Sequence, residues 1–110
     1  MNEPRWEPWR PFPDAAKGEL LTAPFGAGVY WLRDARDNQD IYIGEGSNVA
    51  QRMTSLLPAP LGHGTRNNAP LRDYVMANIQ HVVYRTAACP SKTQAKSLEA
   101  KLMAEHKPRF

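Results

Sequence analysis

Gly28-Val29-Tyr30-Trp31-Leu32 and Ile41-Tyr42-Ile43-Gly44 flank a polar cluster running from Asp34 to Asp40. Two β-branched and aromatic runs around a turn-forming cluster predict an antiparallel hairpin. Gly44 and Gly46 end the second strand, and Ser47 or Asn48 can cap a helix on which Val49, Met53, Leu56 and Leu57 recur at helical spacing until Pro58 and Pro60. Leu61 to Asn68 reads as a polar, glycine-punctuated loop. Asn68 caps a second helix with Pro70 in its first turn, ending near Ile79. His81 to Arg85 is a third, short strand. Ser91 with Gln94 forms a capping box for a last helix carrying Ala95, Leu98, Leu102 and Met103, which Pro108 closes. The expected fold class is therefore α+β, a small three-stranded antiparallel sheet flanked by three helices in the order β-β-α-α-β-α.

Upstream of the hairpin, residues 1–27 hold Pro4, Pro8, Pro11, Pro13 and Pro24 together with Trp6 and Trp9. Such a composition resists helix and central strand, so this segment is expected to be an extended arm in front of a 28–110 body. Its Trp6, Trp9 and Phe12 either cover apolar surface of the body or await a partner, and in so small a domain packing is the expected outcome.

The chain has 110 residues, of which 42% are hydrophobic and 23% charged. That is the size and composition of one globular domain. Its longest uncharged run, Leu20 to Leu32, is interrupted by Pro24, Gly26 and Gly28, so no membrane span is expected. The N-terminus lacks the basic-then-apolar order of a signal peptide. Cys89 stands alone, which excludes an internal disulfide and makes a reducing, cytoplasmic setting the default expectation. Residues 1–55 carry a net −2 and residues 56–110 a net +5, so a polyanion would meet the C-terminal half.

On a wheel of about 100° per residue, Glu99 falls inside the arc formed by Leu98, Leu102, Ala95 and Met103. A buried carboxylate must be paired, bound to a cation, or set where the arc opens onto a cleft. Arg52 borders the apolar arc of the first helix, and either Arg52 or Arg85 is a possible ion-pair partner for Glu99. Tyr30 and Tyr42 lie on the two hairpin strands, each near a glycine that admits a close approach.

Gly28-Val29-Tyr30, Tyr42-Ile43-Gly44, Arg52 and Glu99, followed by Lys107-Pro108, together resemble the GIY-YIG nuclease family over about residues 26–110. Valine replaces the isoleucine of the first tripeptide. The resemblance implies the same antiparallel sheet with helices, and hydrolysis of nucleic acid phosphodiesters. It departs at Leu56, where many members carry His or Tyr one turn after the arginine; His63, in the following loop, is a candidate substitute.

In that chemistry Glu99 would hold one divalent cation, Mg²⁺ or Mn²⁺, which keeps most of its waters and takes phosphate oxygens as further ligands. One Cys and three scattered His offer no zinc alternative. Arg52 would grip the scissile phosphate through its planar fork. Tyr30 or Tyr42 would accept or relay the proton of the attacking water. Bringing a phenol from a pKa near 10 to about 7 requires roughly 4 kcal/mol, and a positive charge about 4 Å away at an effective dielectric near 20 supplies roughly that. Arg66, Asn67, Asn68, Arg72, Lys92 and Lys96, with Lys107, are candidate contacts to the nucleic-acid backbone. The expected function is a metal-dependent endonuclease acting on DNA, as monomer or homodimer. RNA remains open as a substrate, and the alternative is a non-catalytic DNA-binding or assembly module that keeps the fold.

Overall fold

The computed structural model describes residues 5–14, 17–56 and 69–110. Strand β1 spans Arg10–Pro11, β2 Gly28–Asp34 and β3 Gln39–Gly46. Helix α1 covers Val49–Met53 and continues as a 3₁₀ turn over Thr54–Leu56; then come α2 (Ala69–Ala77), β4 (Val82–Ala88) and α3 (Lys92–His106). The sheet is antiparallel, with strand order β1-β4-β2-β3.

The hairpin, the third main strand and the three helices stand where the sequence places them. Four strands are present instead of three, because the proline-rich arm supplies one: Arg10 pairs with Tyr84 and Pro11 with Val83. Proline, which has no N–H to donate, is tolerated on an edge strand, and β1 is an edge. Glu7 N–H donates to Thr86 O at 2.8 Å and Phe12 N–H to Val82 O at 2.9 Å, extending the arm along β4. Strand β4 runs on to Ala88, beyond the expected end at Arg85, because Thr86, Ala87 and Ala88 pair with Tyr30, Val29 and Gly28 of β2 and Ala87 also bridges to Trp6 of the arm.

Both faces of the sheet are covered, which explains why β2 is buried along nearly its whole length. On one face Tyr30, Leu32, Ile41, Val82 and Tyr84 pack with Phe12, Val49, Met53, Leu56, Leu71 and Val75. On the other, Val29, Trp31 and Ile43 pack with Ala95 and Leu102 of α3. The register shifts between Leu32 and Arg33, leaving Ile41 as an extra residue opposite them. This bulge sends Ile41 to the first core while Ile43 serves the second.

Trp6 and Trp9 of the arm meet Trp31 edge-on, with ring centroids 5.6 and 5.4 Å away. The Arg85 guanidinium sits 4.5, 4.8 and 4.7 Å from the Trp6, Trp9 and Trp31 rings, and Arg33 lies 4.5 Å from Trp9. The arm is thus clasped to the body by stacked cations and indoles, as the packing reading expects. Asp40 organises the rim of this cluster: it accepts from Trp31 Nε1–H at 2.8 Å and from Arg33 Nε–H at 3.1 Å.

Candidate active site

Tyr30 and Tyr42 project from neighbouring strands onto the face that α1 covers. Tyr30 stands opposite Gly44 and Leu32 opposite Tyr42, so the tyrosines are diagonal neighbours with ring centroids 5.8 Å apart. The Tyr30 ring lies across Gly44, where any Cβ would overlap its Cζ and hydroxyl. Tyr30 is buried and Tyr42 half-buried.

Helix α1 presents Arg52. Asn48 caps it, its side chain accepting from Gln51 N–H at 3.1 Å. Val49 N–H and Ala50 N–H, which have no partner within so short a helix, donate to Gly26 O at 3.1 Å and Pro24 O at 2.8 Å. These bonds dock the helix on the loop entering β2. The Arg52 stem runs beside Gly46, where an added Cβ would meet Arg52 Cβ at 3.5 Å.

Helix α3 presents Glu99. Ser91 caps it by accepting from Gln94 N–H at 3.2 Å, as the capping box predicts. Ala95 and Leu102 are buried against the sheet and fix the rotation of the helix, while Met103 is 38% exposed. The apolar arc is therefore narrower than the wheel suggests, and half-buried Glu99 stands at its margin. Burial and, after it, the negative charge of Glu45 push the Glu99 carboxyl above its ordinary value of 4.5, and Arg52 and Lys96 pull it back. Carboxylates from β3 and α3 thus share one neighbourhood with cations from α1 and α3.

Of the predicted residues, Tyr30 and Tyr42 are in mutual contact, and Arg52 and Lys96 lie within the electrostatic reach of Glu99. Lys92 is exposed in the first turn of α3. Arg72 belongs to α2, on the opposite side of the sheet from α3. Lys107 caps α3 in a left-handed conformation. His63, Arg66, Asn67 and Asn68 lie outside the described residues. Arg85 is held by the tryptophan cluster, leaving Arg52 as the arginine beside Glu99. Leu56 is fully buried in the first core.

Glu45 was not among the predicted residues. Its signal was present: a glutamate between Gly44 and Gly46, two positions after inward-facing Ile43. Glu45 Oε2 is buried and has no hydrogen-bond partner among the described residues. An orphaned carboxylate oxygen beside Glu99 suits a hard cation with oxygen ligands, so the donor set fits magnesium.

A sheet that lays one tyrosine over a glycine with a second tyrosine beside it, flanked by an arginine and a glutamate from separate helices, defines a small α+β catalytic domain. Residues 26–110 match the family model described as the GIY-YIG catalytic domain, and the chain belongs to that family. It is 33% identical over 98 residues to UvrABC system protein C of Cyanothece sp. and 33% identical over 94 residues to the protein of the same name from Rickettsia canadensis. These matches cover 89% and 86% of this chain but only 14% and 13% of those proteins. Among solved structures, the N-terminal GIY-YIG endonuclease domain of UvrC from Thermotoga maritima, bound to magnesium as its catalytic divalent cation, superposes with a TM-score of 0.62 at 21% identity. That superposition covers 87% of this chain and 94% of that one.

Proposed function

We propose that this chain is a divalent-metal-dependent endonuclease that hydrolyses DNA phosphodiester bonds. The observation that carries this reading is Tyr30 lying over Gly44 with Tyr42 beside it and Arg52 against Gly46 of the same hairpin, while the half-buried Glu99 of α3 feels the charges of Arg52 and Glu45. Membership in the GIY-YIG family, and a relative whose endonuclease domain binds magnesium, support it.

Glu99 would hold Mg²⁺ or Mn²⁺, and the bound cation would supply charge neutralisation on the phosphate and acidity to a coordinated water. Arg52 clamps a non-bridging phosphate oxygen as negative charge accumulates there, an interaction strengthened in a site shielded from bulk water. Tyr30 or Tyr42 orients the attacking water and takes its proton, either as phenolate or by passing its own hydroxyl proton on to a phosphate oxygen. Lys92 and Lys96, on the exposed part of the helix that carries Glu99, would contact the DNA backbone beside the scissile bond. One such site nicks one strand, so cutting both requires a dimer or two encounters.

The test is incubation of the purified chain with supercoiled plasmid, a matched single strand and a matched RNA, in Mg²⁺, Mn²⁺ or EDTA, beside Glu99→Ala. Metal-dependent DNA cleavage that Glu99→Ala abolishes is the expected result. Wild type and variant equally inert, yet both shifting DNA in a gel, would instead make the chain a binding module, and preferential cleavage of the RNA would change the substrate.

A further inference from the structure

We propose that Glu45 is a second carboxylate ligand of the divalent cation held by Glu99, so that β3 and α3 each contribute one arm of the cation site. The inference rests on the metal-dependent reading above and deepens it by naming a ligand on the strand.

The position of Glu45 follows from the pleat. Ile43 faces α3, and Glu45, two residues on and paired in register with Val29, faces the same way. Glu99 occupies the rim of the helix that packs on that face. The two carboxylates therefore stand on facing elements, where the charge of Glu45 opposes ionisation of Glu99 and Lys96 and Arg52 favour it. Those cations leave one need unmet, because Glu45 Oε2 is buried without a hydrogen-bond partner among the described residues. A buried acceptor left in that state is destabilising.

A divalent cation between the two arms removes both penalties at once: it satisfies the orphaned oxygen and converts repulsion between like charges into shared coordination. Magnesium is commonly held by one or two carboxylates, with water and phosphate oxygens completing its shell. No group of three or more His, Cys, Asp or Glu side chains able to hold a metal occurs among the described residues. Two carboxylates would leave the remaining positions of a six-coordinate cation to water and substrate oxygens.

The experiment is titration of the full chain with Mn²⁺ without nucleic acid, following free Mn²⁺ by electron paramagnetic resonance, with Mg²⁺ as competitor. Wild type, Glu45→Gln, Glu45→Asp and Glu99→Gln are compared, and circular dichroism checks the fold of each. Glu45→Gln is expected to weaken Mn²⁺ binding about tenfold or more, and Glu45→Asp, which keeps the charge but withdraws the oxygen by one methylene, to weaken it less. If Glu45→Gln does not fold, the aspartate variant decides, and wild-type affinity there overturns the proposal. Loss of binding in Glu99→Gln with wild-type affinity in both Glu45 variants overturns the role of Glu45 and leaves the nuclease reading standing. A wild-type chain that binds no Mn²⁺ at millimolar concentration overturns both.

Discussion

The ring of Tyr30 lies directly across Gly44, so the tyrosine of one hairpin strand occupies the space where a side chain on the other would stand. The glycine after Tyr42-Ile43 is thus demanded by packing as well as by access to the site. Gly44→Ala must displace an aromatic ring already locked in the core, since Tyr30 is 1% exposed. We expect a loss of about 2 kcal/mol or more in urea unfolding, the usual range for overpacking. Combining Gly44→Ala with Tyr30→Leu should recover part of that loss, which a double-mutant cycle measures. Additive losses would mean that the two residues do not meet.

Leu56 occupies the position where many family members carry a histidine or tyrosine, which invites its replacement by histidine to improve the site. The structure predicts the reverse. Leu56 is fully buried among apolar neighbours, and an imidazole there would lose both packing and hydration. Leu56→His should cost about 3 kcal/mol in urea unfolding and yield no gain in plasmid cleavage. A stable variant with raised activity would show that the side chain can swing into the cleft.

Much of this was legible in the sequence because the signals were local. The two tripeptides, the Asn48 and Ser91 caps and the helical spacing of Ala95 and Leu102 each depend on a few neighbouring residues, and each is found in place. What escaped depended on distant partners. Pro11 reads as a breaker until β4 offers it an edge, and Arg85 reads as a partner for Glu99 until three tryptophans from two segments surround it. Met103 lies within the apolar arc of the wheel but is exposed, because it stands about 80–100° round the helix from Ala95 and Leu102, the positions buried against the sheet. Glu45 was missed because its significance lies in the orphaned oxygen, a property of the assembled site.

The clasp between arm and body is testable by its coupling. Arg85 contacts the Trp9 ring at 4.8 Å, and its guanidinium is partly desolvated, which lowers its proton affinity. A double-mutant cycle of Arg85→Met and Trp9→Leu should give a coupling of about 0.5–2 kcal/mol. A coupling near zero would reduce the cluster to hydrophobic burial alone.

Asp34 ties the hairpin turn to α2. It accepts from Arg36 N–H at 2.9 Å, from Arg36 Nε–H and Nη2–H at 3.1 and 2.7 Å, and from the Tyr74 hydroxyl at 3.1 Å. These donors, chiefly the Arg36 side chain, hold its carboxyl well below the ordinary 3.8 despite burial. A depressed carboxyl contributes stability that is fully present above its unfolded value and lost as pH falls toward the folded one. Wild type should therefore lose its stability advantage over Asp34→Asn as the pH is lowered from 4 towards 2, read as the difference in urea midpoint. A difference constant across that range would show that the bonds do not favour the charged form.

Glu99 has the opposite sign, and the consequence separates stability from function. Its carboxyl is pushed above 4.5, first by burial and then by Glu45, so the fold holds the proton more tightly than the unfolded chain does. Such a group costs stability as pH rises through its folded value, and the cost persists at neutral pH. In EDTA, Glu99→Gln removes that cost while retaining the shape of the side chain, so the variant should melt above wild type at pH 7, and the difference should shrink as the pH is lowered and Glu99 takes up its proton. The same variant should be inert in plasmid cleavage, since an amide cannot replace the carboxylate as cation ligand. A strained carboxylate kept at the expense of stability is what a site awaiting a divalent cation predicts. Added Mg²⁺ should then raise the melting temperature of wild type and leave that of Glu99→Gln unmoved, and equal shifts in the two proteins would place the bound cation elsewhere.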